Sequence, residues 1–179
     1  MSIKSLAVFC GSKTGVDPIF LQHAEQLGRL LAENNIALIY GGGNAGIMGY
    51  IADAVLKNKG KVIGIIPKLL LEWERQHGGV TEMIVTDDMH LRKKMLYSRC
   101  DAALVLPGGF GTLDEFFEIL TWNQLSIHDK HIFILNSGGF YTHLIRHMEH
   151  MKDQGFLYGG TEKRITIIDD PAELLEYLK

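Results

Sequence analysis

Seven short apolar runs, rich in Val, Ile and Leu, fall at residues 6–10, 36–40, 61–66, 83–86, 102–106, 131–136 and 165–168. Runs of that length read as strands buried on both faces, and parallel strands need a long crossover between them. Stretches with helical apolar spacing, at 18–34, 46–59, 90–99, 112–125, 140–154 and 171–178, supply those crossovers. The alternation predicts an α/β chain with a Rossmann-like, doubly wound, mostly parallel sheet flanked by helices. At 179 residues, with no linker, repeat or low-complexity tract, a single domain spanning 1–179 is expected. The last helix has its own capping box, Asp170 with Glu173, and Pro171 at the first helical position.

In such a sheet ligands bind beyond the carboxyl ends of the strands. Glycine-rich turns leave those ends at 11–15, 41–46 and 107–112, and a long connection follows at 67–80. The most informative turn is Pro-Gly-Gly-Phe-Gly-Thr-Leu-Asp-Glu at 107–115, which joins a strand to a helix. Its glycines let the backbone come close to a ligand, and the free N–H groups of a helix start favour an anion, with phosphate the obvious guest. Thr112 and Glu115 are also spaced as a capping box, which by itself would explain both residues structurally. Glu115 in a first helical turn is favoured in its ionised form, and such a carboxylate can bind ribose hydroxyls, stabilise an oxocarbenium-like centre or take a proton from water.

The turn at 41–46 matches G-x-G-x-x-G after a strand. A dinucleotide site also needs an acidic residue at the end of the next strand, where this chain has Ile66-Pro67-Lys68, and Asp53 comes too early. No nicotinamide, flavin or other cofactor is expected. Gly42 and Gly43 read instead as lining a mononucleotide pocket, together with Gly11, Ser12 and Met95.

The turn at 107–115 resembles the PGGxGTxxE signature of the Lonely Guy phosphoribohydrolases, long described as lysine decarboxylases. GGGNAGIMG at 41–49, MHLRKKM at 89–95 and TWNQLSIHDK at 121–130 are similar to further blocks of that family, in the same order, so the likeness spans about residues 8–156. Two positions depart from the pattern: Leu91 stands where Glu or Gln usually precedes the Arg-Lys pair, and Lys13 where Ser-Ser is more common. The resemblance implies hydrolysis of the N-glycosidic bond of a nucleoside 5′-monophosphate, a cytokinin ribotide or AMP, to free base and ribose 5-phosphate. It assigns catalysis to Arg92 and Glu115, and substrate binding to Glu74, Lys93, Gly108, Gly109, Phe110, Gly111, Thr112, Leu113, Asp114 and Thr121. The rival reading is a nucleotide- or molybdenum-cofactor-binding carrier or sensor on the same fold. A homodimer or higher homo-oligomer is implied, with Trp122 and the Phe116-Phe117 pair reading as core or subunit contact.

Other partners are disfavoured. Net charge is −3, and the one basic cluster, Arg92, Lys93, Lys94 and Arg99, has only Tyr97 interleaved, so no nucleic-acid polymer is expected. His143, His147 and His150 share a helix face, but neither their spacing nor Glu149 makes a zinc site, so no metal is expected. Cys10 and Cys100 read as small buried hydrophobes, which suits a reducing cytoplasm, and no apolar run is long enough for a signal peptide or membrane span. Trp73, in the 67–80 connection, reads as core, subunit contact or the cover of a base.

Overall fold

The computed structural model describes residues 3–71, 76–157 and 164–178. Seven strands form one sheet in the order β4-β3-β2-β1-β5-β6-β7: β1 Ser5–Phe9, β2 Ala37–Tyr40, β3 Val62–Pro67, β4 Glu82–Thr86, β5 Ala102–Val105, β6 His131–Leu135 and β7 Ile165–Ile168. Every pairing is parallel, so the sheet is more uniform than the sequence required. The chain winds outward from β1 to β4, then returns to pair β5 with the other edge of β1. That reversal between β1 and β5 opens a crevice at their carboxyl ends.

Alternation along each strand divides the core. Leu6, Val8, Leu38, Leu104 and Phe133 face one side, under α1 Ile19–Glu33 and α2 Gly46–Lys57. Ala7, Phe9, Ile39, Val105 and Ile134 face the other, under α4 Met89–Arg99, α5 Phe110–Gln124 and α6 Thr142–Asp153. Side chains of successive strand residues point to opposite faces, so one apolar run serves both layers. The long connection after β3 begins with a short helix, α3 Lys68–Leu71, that its sequence did not announce. It is then tied down by a bridge from Gln76 to Gly43 and a hydrogen bond from the His77 N–H to the Gly42 carbonyl.

Two helical expectations need correction. The segment expected as a helix at 140–154 starts as α6 only at Thr142, because a 3-10 turn, Ser137–Gly139, comes first, with Gly138 and Gly139 at positive φ. The C-terminal segment is a 3-10 helix, Pro171–Tyr177, although its Asp170–Glu173 capping box forms as expected. Among the described residues, no helix is long and apolar enough to cross a membrane.

Candidate active site

A cleft of about 590 Å³ lies at the reversal point, lined by the loop after β1, by Gly41 after β2 and by the 107–112 turn after β5. Its size is that of an ordinary small-molecule site. Met48, Leu70, Met89 and Phe140 give it apolar wall.

The 107–112 turn is built to accept an anion. The first bond of α5 runs from the Leu113 N–H to the Gly109 carbonyl, 3.1 Å, so the N–H groups of Phe110, Gly111 and Thr112 have no intrahelical acceptor. Gly109, the N-cap, offers no side chain to satisfy them. This overturns the capping-box reading of Thr112 and Glu115: the glycines let the helix begin two residues earlier, at Phe110, which moves Glu115 out of the first turn. Gly108 has to be glycine, since a Cβ there would collide with the Thr112 side chain. Thr112 is buried behind the turn, while Phe110 stands on the rim with 93% of its surface exposed.

Below this turn the structure joins Arg92 to Glu115. Asp88 caps α4, its carboxylate accepting the Leu91 N–H at 2.7 Å, and the first turn of that helix aims Arg92 across the strand ends. The Arg92 Nε–H donates to the Ile65 carbonyl at 3.1 Å, and Nη1 meets Glu115 Oε1 at 3.1 Å. The two side chains are only 9% and 10% exposed, so this is a buried pair with one partner on each of two helices. Both line the cleft. Cys10 also lies there, but burial first and the Glu115 charge second push its thiol far above the ordinary cysteine range, so it is no thiolate nucleophile.

Of the candidate residues, the cleft gathers Gly11, Ser12, Arg92, Gly108, Gly109, Phe110, Gly111, Thr112, Asp114 and Glu115. Others lie elsewhere. Lys93 does not line the cleft but pairs with Asp114 at 3.1 Å and Glu118 at 3.2 Å, and Leu113 packs into the core behind α5. Burial opposes the charge on Lys93, but its hydrogen bonds to Asp114 and Glu118 outweigh that and raise its pKa. Thr121 is exposed on α5, its hydroxyl donating to the Phe117 carbonyl at 2.7 Å. Gly42, Gly43 and Met95 do not line the cleft: the two glycines carry the tie to Gln76 and His77, and Met95 packs against the core, leaving Gly41 as the glycine of that turn at the site. Glu74 and Trp73 fall outside the described residues. The cleft also takes Cys10, which the sequence placed in the core, Gly41, Met48 and Met89, which lie inside the motif blocks without being singled out as site residues, and Leu70 and Phe140, which carry no local signal. His143, His147 and His150 are exposed on α6, and among the described residues no three His, Cys, Asp or Glu side chains are grouped to hold a metal ion.

Comparison with known proteins places this geometry. Residues 48–178 match the family model described as possible lysine decarboxylase. A cytokinin riboside 5′-monophosphate phosphoribohydrolase of Rhodococcoides fascians is 40% identical over 168 residues, covering 93% of this chain and 85% of that protein. One of the same name from Arabidopsis thaliana is 39% identical over 176 residues, covering 98% of this chain and 81% of its own length. Among solved structures, a molybdenum cofactor binding protein of Rippkaea orientalis superposes with a TM-score of 0.73 at 23% identity, covering 99% of this chain and 96% of its own. The molybdenum cofactor carrier protein of Chlamydomonas reinhardtii does so at 0.73 and 19%, covering 97% and 96%. At such identities these two show the shared fold alone. The family model and the relatives at about 40% identity lead to one conclusion: the chain belongs to the Lonely Guy family of phosphoribohydrolases, the group that the lysine decarboxylase description covers.

Proposed function

We propose that this protein hydrolyses the N-glycosidic bond of a nucleoside 5′-monophosphate, a cytokinin ribotide or AMP, releasing the free base and ribose 5-phosphate. The observation that carries the reading is the buried Arg92–Glu115 pair set in the same cleft as the unsatisfied N–H groups of α5. A 5′-phosphate on the N–H groups of Phe110, Gly111 and Thr112 brings the ribose over Glu115. The C1′–N bond breaks with its electron pair leaving on the base, which takes up a proton, and water adds at C1′. Glu115 stabilises the positive charge that builds on the sugar and accepts a proton from the attacking water. The Arg92 guanidinium acts by charge and by fixing the carboxylate.

The test is direct: incubate the protein with nucleoside monophosphates and with the matching nucleosides, and measure released base. AMP or a cytokinin ribotide should be cleaved far faster than its nucleoside. Equal turnover of AMP and adenosine would remove the phosphate cradle from the reading, and no turnover of any monophosphate would remove the hydrolase.

The working form we propose is a cytoplasmic homodimer. Exposed Phe117, Leu125 and Ile127, on and just after α5, offer the apolar surface for a subunit contact. The unpaired, buried Cys10 and Cys100 suit a reducing compartment.

A further inference from the structure

We propose that Tyr141 is a positioning residue for the phosphate cradle, its buried phenol clamping the backbone at Leu106 into the shape that presents the α5 N-terminus. The inference rests on the cleft being a phosphate site, as proposed above. Tyr141 is 2% exposed, and its hydroxyl donates to the Leu106 carbonyl at 2.7 Å. That bond anchors the residue just before Pro107. The next carbonyl, that of Pro107, accepts the Gly11 N–H at 3.0 Å, from the loop after β1. Leu106 and Pro107, which lead into the cradle, are thereby pinned from outside α5.

Tyr141 is itself held. The turn Ser137–Gly139, with both glycines at positive φ, reverses the chain after β6, and the Tyr141 N–H then donates to Asn136 Oδ1 at 2.8 Å. Ser137, in that turn, meets His23 Nδ1 at 2.8 Å, which fastens the turn to α1 without touching the cradle. Phe140, packed edge-on to Tyr141 at 4.8 Å, lines the cleft. The connection between β6 and α6 therefore contributes one residue to the cleft wall and one to the support of its floor.

A phosphate is gripped in substrate, transition state and product alike, so loosening the cradle removes uniform binding and raises KM while leaving kcat nearly unchanged. Tyr141→Phe keeps the ring and deletes the hydroxyl. It should raise the KM for AMP about tenfold, with kcat within about twofold of wild type, and weaken ribose 5-phosphate binding, read by calorimetry, by the same factor. His23→Leu, which loosens the same turn away from the cradle, should lower the melting temperature and leave KM unchanged. An unaltered KM and ribose 5-phosphate affinity in Tyr141→Phe overturns the proposal, as does an equal KM rise in His23→Leu. If wild type binds ribose 5-phosphate but cleaves no monophosphate, and Tyr141→Phe still weakens that binding, the clamp stands and the hydrolase reading falls. If wild type cleaves AMP and Tyr141→Phe matches its KM, the clamp alone falls.

Discussion

Gly41 is glycine because Arg92 occupies the space its side chain would need: a Cβ there would overlap Nη2 of the guanidinium. The end of β2 thus forms the seat of the arginine, and the Ile65 carbonyl at the end of β3 holds its Nε–H. Gly41→Ala is therefore expected to push the guanidinium off Glu115 while altering no ionisable group. It should lower kcat about a hundredfold, the scale on which removing one preorganised charge contact acts. Steady-state kinetics on AMP check this, and a wild-type kcat would show that Arg92 need not occupy this seat.

Arg92→Lys retains the positive charge but cannot donate to the Ile65 carbonyl and reach Glu115 in the same fork geometry. Turnover should fall at least about a hundredfold. Lys94→Ala, on the exposed side of the same helix, should stay within about twofold of wild type.

Glu115→Gln removes the carboxylate charge and leaves a buried guanidinium without its counter-ion. Hydrolysis should drop about a hundredfold or more. Stability should fall too, by up to about 3 kcal/mol in denaturant titration, because breaking one side of a buried pair strands the other. AMP binding through the cradle should persist in calorimetry. An active Glu115→Gln enzyme would hand the role to the neighbouring Asp114.

Lys93 links α4 to α5 through Asp114 and Glu118, and those contacts raise its pKa above the ordinary 10.5. A group whose pKa is raised by folding stabilises fully below its unfolded value and loses that contribution as pH climbs through the folded one. Wild type should therefore lose stability as pH rises above the ordinary lysine pKa, and Lys93→Met should show a shallower alkaline decline in thermal melts. Identical alkaline profiles would mean that the contacts contribute nothing.

Ile127, exposed just beyond α5, tests the assembly. Ile127→Glu places a charge in the proposed subunit contact and should convert a dimer to a monomer in light scattering. A wild-type protein that already runs as a monomer would end the dimer proposal.

The strands and a mostly parallel sheet were legible in the chain itself, because buried strands and crossover helices carry different apolar periods, and a period is a local property. The 107–112 turn was legible for another local reason: three glycines between a strand and a helix mark a backbone that must turn tightly or come close to a ligand. Where that helix begins was not. Propensity favoured Thr112 as a cap, and the backbone, with Gly109 as the N-cap, starts it at Phe110 instead. The meeting of Arg92 with Glu115, the turning of Lys93 toward Asp114 and Glu118, and the choice of Gly41 over Gly42 and Gly43 at the cleft all depend on how α4 and α5 dock against the strand ends. Periodicity tells which face of a helix is buried, but the partner that face meets is set by packing between segments distant in the chain, and only the folded structure supplies it.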